Sequence, residues 1–188
     1  MTFPPPYRLR ESAERAEEAL PEGFRVEVLG GELVASPPRL NRHNYIVHSV
    51  MLQLEAQLPD GLSTLPNTSV GDGGDDDDLA RPDLIVLPAE ALQREVSRNP
   101  PDSVALVLEV ASPGSTPSSV TTKPRIYADM RIPVYLMAGP RDGTLVLHSD
   151  PREGRFTTKH HMHFGDTVKL PSPLEGIVIE TDELVTYS

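Results

Sequence analysis

Two strongly apolar runs, residues 84–87 and 104–111, constrain this chain more than any other feature. Neither alternates apolar with polar residues along its length, so each is expected in the middle of a sheet with both faces covered. Asp83 directly precedes the first run and Glu109 interrupts the second. Antiparallel pairing with the apolar residues in register sets Leu84 against Leu108, Ile85 against Val107, Val86 against Leu106 and Leu87 against Ala105. The same register sets Asp83 opposite Glu109, on one face, with Cβ atoms about 4.5–5.5 Å apart. Two like charges at the end of a buried sheet are unfavourable alone. Around a divalent cation they become favourable, because the ion inverts the local electrostatics.

The flanking segments read as a mixed α+β chain. Residues 11–20 are good helix formers closed by Pro21 and Gly23. Phe24, Val26 and Val28 alternate with Arg25 and Glu27, Gly30-Gly31 supplies a positive-φ turn and residues 32–35 return, which predicts a β-hairpin. Asn41 can cap a helix to about Leu58 with His43, Val47, Val50 and Leu54 on one stripe. A short strand is expected near 65–70, a short helix over 89–96, and a helix around 123–130 with Pro124 in its first turn. Strands are expected at 134–138, 144–148, 155–163, 168–170 and 177–179. The assembled expectation is a mixed sheet with one long helix against it and a C-terminal strand meander. Residues 1–23 read as an N-terminal extension with a short helix, and 24–188 as one domain.

Composition narrows the chemistry. The 188 residues contain no Cys, so a disulfide framework, a thiolate zinc site and a Cys nucleophile are excluded. Catalysis would have to use carboxylates, His, Ser/Thr, Lys or a metal held by oxygen and imidazole. The net charge is −11, which argues against a surface coated for nucleic-acid binding. Asp72 and Asp75 to Asp78 supply five of those charges in one Gly/Asp-rich run, read as a solvated loop and, by position, as an acidic flap before Arg81. Between Ser103 and Leu136, Lys123, Arg125 and Arg131 outnumber Glu109 and Asp129, so a phosphate-containing substrate is not excluded there. No secretory signal and no membrane-spanning run is visible, and a cytoplasmic location is the expectation.

Downstream of Glu109, Lys123 begins a helix that must fold back from the Glu109 strand, which can bring its ammonium to the same point. Asp, Glu, Lys and magnesium together suit phosphodiester hydrolysis: carboxylates hold the metal, the metal activates water and neutralises phosphate, and Lys stabilises the charged transition state.

The ordered set Arg81-Pro82-Asp83, Leu106-Val107-Leu108-Glu109-Val110-Ala111-Ser112-Pro113, Lys123-Pro124-Arg125-Ile126-Tyr127-Ala128 and Ile132-Pro133-Val134-Tyr135 resembles the Uma-two family of endonucleases. That family is a branch of the PD-(D/E)xK restriction-endonuclease-like superfamily. Glu27, Gly31-Glu32-Leu33-Val34, Ser36-Pro37-Pro38 and His43 resemble its opening hairpin and helix. The resemblance implies a restriction-endonuclease-like core in which Asp83 and Glu109 bind Mg²⁺ or Mn²⁺, with the Val110 carbonyl, and metal-assisted hydrolysis of DNA. The superfamily's Lys two positions after the Glu is Ala111 here, as is usual in this family, and Lys123 stands in for it. The family's Asp four residues before that Lys is Ser119, and its Tyr-Trp is Tyr135-Leu136.

Glu32 and His43 are candidate accessories: Glu32 as an additional acid from the N-terminal part, His43 as a stripe residue otherwise expected to be a hydrogen-bonded core group. Glu27 is a weaker candidate and Tyr127 reads as packing. His161 and His163 share a face of their strand, but no carboxylate or Cys completes a transition-metal set, so an exposed strand is the expectation. The 71–78 run lacks EF-hand spacing. A catalytically inactive binding module on the same fold, and a metal-independent dimeric structural partner, are the alternatives; a homodimer is compatible with either reading.

Overall fold

The computed structural model describes residues 9–72, 78–112 and 117–187, and the side chains of 117–120 lie outside that description. In chain order the elements are α1 (Leu9–Ala19), β1 (Arg25–Leu29), β2 (Glu32–Ser36), α2 (Asn41–Glu55), β3 (Leu62–Pro66), β4 (Ser69–Val70), β5 (Leu84–Pro88), a 3₁₀ turn, β6 (Arg98–Asn99), a second 3₁₀ turn, β7 (Leu106–Val110), α3 (Pro117–Asp129), β8 (Val134–Gly139), β9 (Thr144–Arg152), β10 (Arg155–His163), β11 (Val168–Lys169) and β12 (Val178–Ile179). The main sheet has six strands in the order β10-β9-β8-β7-β5-β3. Within it only β7 and β8 run parallel, as the α3 crossover between them requires.

The two apolar runs form β5 and β7 and pair antiparallel with Leu84 opposite Leu108, Ile85 opposite Val107 and Val86 opposite Leu106. Both strands are buried on two faces. Leu84, Val86, Leu106, Leu108, Val134 and Leu136 pack under α2 and the C-terminal ribbon β11–β12. Ile85, Leu87, Val107 and Tyr135 pack under Ile126 and Tyr127 of α3. The β1–β2 hairpin turns through Gly30 and Gly31, whose φ values of 62° and 81° suit glycine.

Several local expectations change. Asn41 is the first helical residue of α2; Leu40 holds the cap position, with no side-chain hydrogen bond. The stripe of His43, Val47, Val50 and Leu54 is buried as expected, with Ile46 beside it. Pro124 lies inside α3, not in its first turn. The helix begins at Pro117, a residue well suited to a first helical position, so it extends six residues before the expected start at Lys123, through Ser/Thr-rich turns of weak propensity. The strand expected near 65–70 is two elements, and β3 is an edge strand of the main sheet paired with β5. The expected helix over 89–96 is a 3₁₀ turn over Ala89–Gln93. Of the acidic run, residues 73–77 lie outside the described residues; Asp78 accepts a hydrogen bond from the Gly30 N–H at 2.5 Å. No helix among the described residues is long and apolar enough to cross a membrane.

Candidate active site

Continuing the β5–β7 register by one residue sets Asp83 against Glu109, and the Asp83 N–H donates to the Leu108 carbonyl at 3.1 Å. Three further elements converge on that end of the pair. The hairpin brings Glu27 and Arg25, the first turn of α2 brings His43, and α3 brings Lys123 and Tyr127. Asp83, Glu27, Glu109 and Lys123 are 1%, 2%, 6% and 7% exposed.

Each carboxylate has its own partners. The Lys123 ammonium donates to Glu109 Oε1 at 2.7 Å and lies 3.0 Å from Glu27 Oε1. The Tyr127 hydroxyl also donates to Glu109 Oε1, at 2.5 Å. Glu27 Oε1 accepts the Arg81 N–H at 2.7 Å, which ties the hairpin to the chain entering β5. Asp83 Oδ2 accepts the Val110 N–H at 2.9 Å. Around Asp83 Oδ1 stand His43 Nε2 at 3.0 Å, Arg39 Nε at 3.5 Å and Arg25 Nη1 at 3.8 Å. Oδ1 is buried and makes no hydrogen bond of good geometry, and of these neighbours His43 holds the Asp83 charge most strongly.

Burial drives the protonation equilibria and the neighbours oppose it unequally. Desolvation raises the Glu109 carboxyl; Lys123 pulls it down, but Asp83 and Glu27 push it further up, to about 7. Desolvation also works against the Asp83 charge, yet the His43 contact and the charges of His43 and Arg39 hold that carboxyl below its ordinary value. For Lys123, burial lowers the pKa but the charges of Glu109 and Glu27 outweigh it, and the ammonium is held above its ordinary range. Tyr127 is raised well above 10 by burial and by Glu109, so its hydroxyl stays a donor.

Asp83, Glu109, Lys123 and His43 therefore meet at one place. Glu32 does not join them: it is exposed at the hairpin, opposite Leu29. The N-terminal acid in the cluster is Glu27, the weaker of the two candidates in the sequence. Both faces of β1 are covered, because Val26 and Val28 pack with Ala13 of α1 and Leu79 while Glu27 turns toward the sheet. Arg39 and Arg25 carried no sequence signal; their roles exist only through contacts between distant segments.

The donor set is hard: the carboxylate oxygens of Asp83 and Glu109. Among the described residues no group of three or more His, Asp or Glu side chains is placed to hold a metal ion. Mg²⁺ is commonly held by one or two carboxylates with water completing its shell, so Asp83 and Glu109, with Asp83 Oδ1 buried and lacking a hydrogen bond, fit such an ion.

Residues 11–182 match the Uma2 family, described as "Putative restriction endonuclease". No curated protein matches the chain. Among solved structures the chain is similar to a "putative nuclease belonging to DUF820" from Anabaena variabilis, with a TM-score of 0.68 and 16% sequence identity over 89% of this chain and 93% of that one. At that identity the likeness shows the fold alone, a mixed α+β fold.

Proposed function

The chain belongs to the Uma2 family, and from that premise we propose that it is a divalent-metal-dependent endonuclease hydrolysing phosphodiester bonds of DNA. The observation that carries this reading is the meeting of Asp83, Glu109 and Lys123 at one end of the β5–β7 pair. Asp83 and Glu109 would hold Mg²⁺ or Mn²⁺. When bound, such an ion neutralises phosphate charge and makes water a better nucleophile at neutral pH.

The chain's own groups supply the rest. Lys123 keeps its proton and is suited to the negative charge that builds on the phosphate oxygens. His43 and Arg39 keep Asp83 ionised, and Tyr127 orients Glu109 by its hydroxyl. Without metal, and above about pH 7 where Glu109 is ionised, the three acids Asp83, Glu109 and Glu27 face the three permanent cations Lys123, Arg39 and Arg25. Adding a divalent ion turns this cluster positive, a charge that suits an anionic phosphodiester.

The test is a nuclease panel of single- and double-stranded DNA and RNA with Mg²⁺ or Mn²⁺. Cleavage by the wild type and none by an Asp83→Asn, Glu109→Gln double variant is expected. Activity surviving in the double variant would place the chemistry elsewhere. Cutting both strands of a duplex would suit a homodimer, read by sedimentation with and without DNA. The balanced charge of the metal-free cluster favours one rival, a non-catalytic binding module. No Mn²⁺ binding at millimolar metal would decide for that rival.

A further inference from the structure

The same sheet face that carries Glu109 continues outward through a cavity. Glu109 is paired with Met137, Met137 with Val146 and Val146 with His161, one row across β7, β8, β9 and β10. The adjacent row is Val107, Tyr135, His148 and Lys159. Directly paired residues point to the same face, so both rows lie on the α3 side of the sheet. Over their outer part a cavity of about 550 Å³ opens, floored by Met137, Val146, His148 and Lys159 and walled by Thr121 and Pro124 of α3. Arg141 and Asp142, in the β8–β9 turn, line its end.

The cavity abuts the acid cluster. Ala111 and Ser112, which follow Glu109 at the carboxyl end of β7, form its inner lip, and Pro124 follows Lys123. Ser112 Oγ accepts from Arg39 Nη1 at 2.6 Å, and Arg39 Nε stands 3.5 Å from Asp83 Oδ1. This is the carboxyl end of the parallel β7–β8 pair, where open mixed sheets bind their ligands. From β7 to β10 is three strand spacings, roughly 14 Å, the reach of a few nucleotides.

The chemistry of the lining suits phosphate. In a chain of net charge −11, the edge strand β10 carries Arg155, Lys159 and three His and no acid. Lys159 and Arg141 are exposed, and Asp142 lines the cavity with them. His148 is buried against Tyr135, with ring centroids 5.2 Å apart and planes 20° from parallel. Burial, with the charges of Lys159 and His161, pushes its imidazole down to about 4, so at neutral pH it presents an uncharged ring to the cavity.

We propose that this cavity is a subsite for the nucleic-acid strand beyond the scissile bond, with Lys159 and Arg141 holding its phosphates. The proposal rests on the nuclease reading and extends it to the substrate's path.

The test compares wild type, Lys159→Glu, Arg141→Glu and the control Lys169→Glu, which makes the same charge change at an exposed site on β11. Single-stranded DNA oligonucleotides of increasing length are used, with Ca²⁺ for binding and Mg²⁺ or Mn²⁺ for cleavage. Lys159→Glu and Arg141→Glu are expected to weaken binding about tenfold relative to Lys169→Glu and to lower the salt slope by about one each. KM should rise with kcat unchanged, and the gain from lengthening the oligonucleotide should disappear. Wild-type cleavage with both variants equal to Lys169→Glu overturns the subsite and leaves the nuclease reading standing. A wild type that neither binds nor cleaves any oligonucleotide overturns both.

Discussion

Burial pushes the Glu109 carboxyl up to about 7 against the pull of Lys123, with Asp83 and Glu27 adding to the rise. A divalent ion bound there must displace that proton. Apparent Mn²⁺ affinity, followed by calorimetry from about pH 5.5 to 8.5, is expected to fall about tenfold per unit below about 7 and to level off above it. Stability of the metal-free protein has the matching sign. Glu109 binds its proton more tightly folded than unfolded, so its contribution is full below the ordinary value of 4.5 and is lost as pH rises through about 7. Asp83 acts oppositely: its folded pKa is depressed, and its contribution is lost as pH falls below the ordinary 3.8. Urea denaturation of Glu109→Gln should lack the decline between about 4.5 and 7 that the wild type shows. Lys123 is the counter-charge to two buried acids, 2.7 Å from Glu109 and 3.0 Å from Glu27. Lys123→Met is expected to cost about 3–5 kcal/mol, because it leaves buried carboxylates unpaired. Adding Glu109→Gln to that variant should recover part of the loss in the same denaturation measurement.

At the scale of elements, the β1–β2 hairpin positions Glu27 and Arg25, and its turn depends on backbone that L side chains resist. Gly31 has φ 81° with nothing within 4 Å of an added Cβ, so Gly31→Ala isolates the conformational cost. A loss of about 1–2 kcal/mol is expected by chemical denaturation. Gly30→Ala adds a contact with the Arg125 guanidinium at 3.3 Å and should cost at least as much. The central strands were legible because continuous apolar runs carry their own burial, and the apolar residues fix one antiparallel register. β3 and the start of α3 were not: short strands and Ser/Thr-rich helical turns have weak local preference, and packing decides them. Pro124 illustrates this. It sacrifices one helical hydrogen bond inside α3, and the burial of Ile126, Tyr127 and Ala128 on the sheet holds the helix together.

For the whole molecule, a net charge of −11 opposes tight nonspecific binding to DNA, and the metal-free acid cluster is balanced by its own cations. Occupancy of the cluster by a divalent ion should therefore control affinity. Binding of an oligonucleotide at fixed ionic strength is expected to strengthen several-fold on adding Ca²⁺ to wild type and to be insensitive to it in Asp83→Asn. Fluorescence anisotropy measures this directly, and equal Ca²⁺ responses in the two proteins would detach DNA binding from the cluster.

The sequence by itself determined that Asp83 and Glu109 would stand together at the end of two buried strands. Register follows from local apolar patterning, and one residue of slip would turn every apolar side chain to the wrong face. That the helix carrying Lys123 folds back from the Glu109 strand followed as well, while its role as a crossover between parallel strands emerged only in the structure. Tertiary structure alone decided what surrounds the two acids. Glu27 in place of Glu32, the Arg39 and Arg25 guanidinia, His43 against Asp83 and the Tyr127 hydroxyl on Glu109 come from segments far apart in the chain. Alternation tells which residues share a strand face but not what packs over that face, and burial of a charge becomes tolerable only when such distant partners arrive.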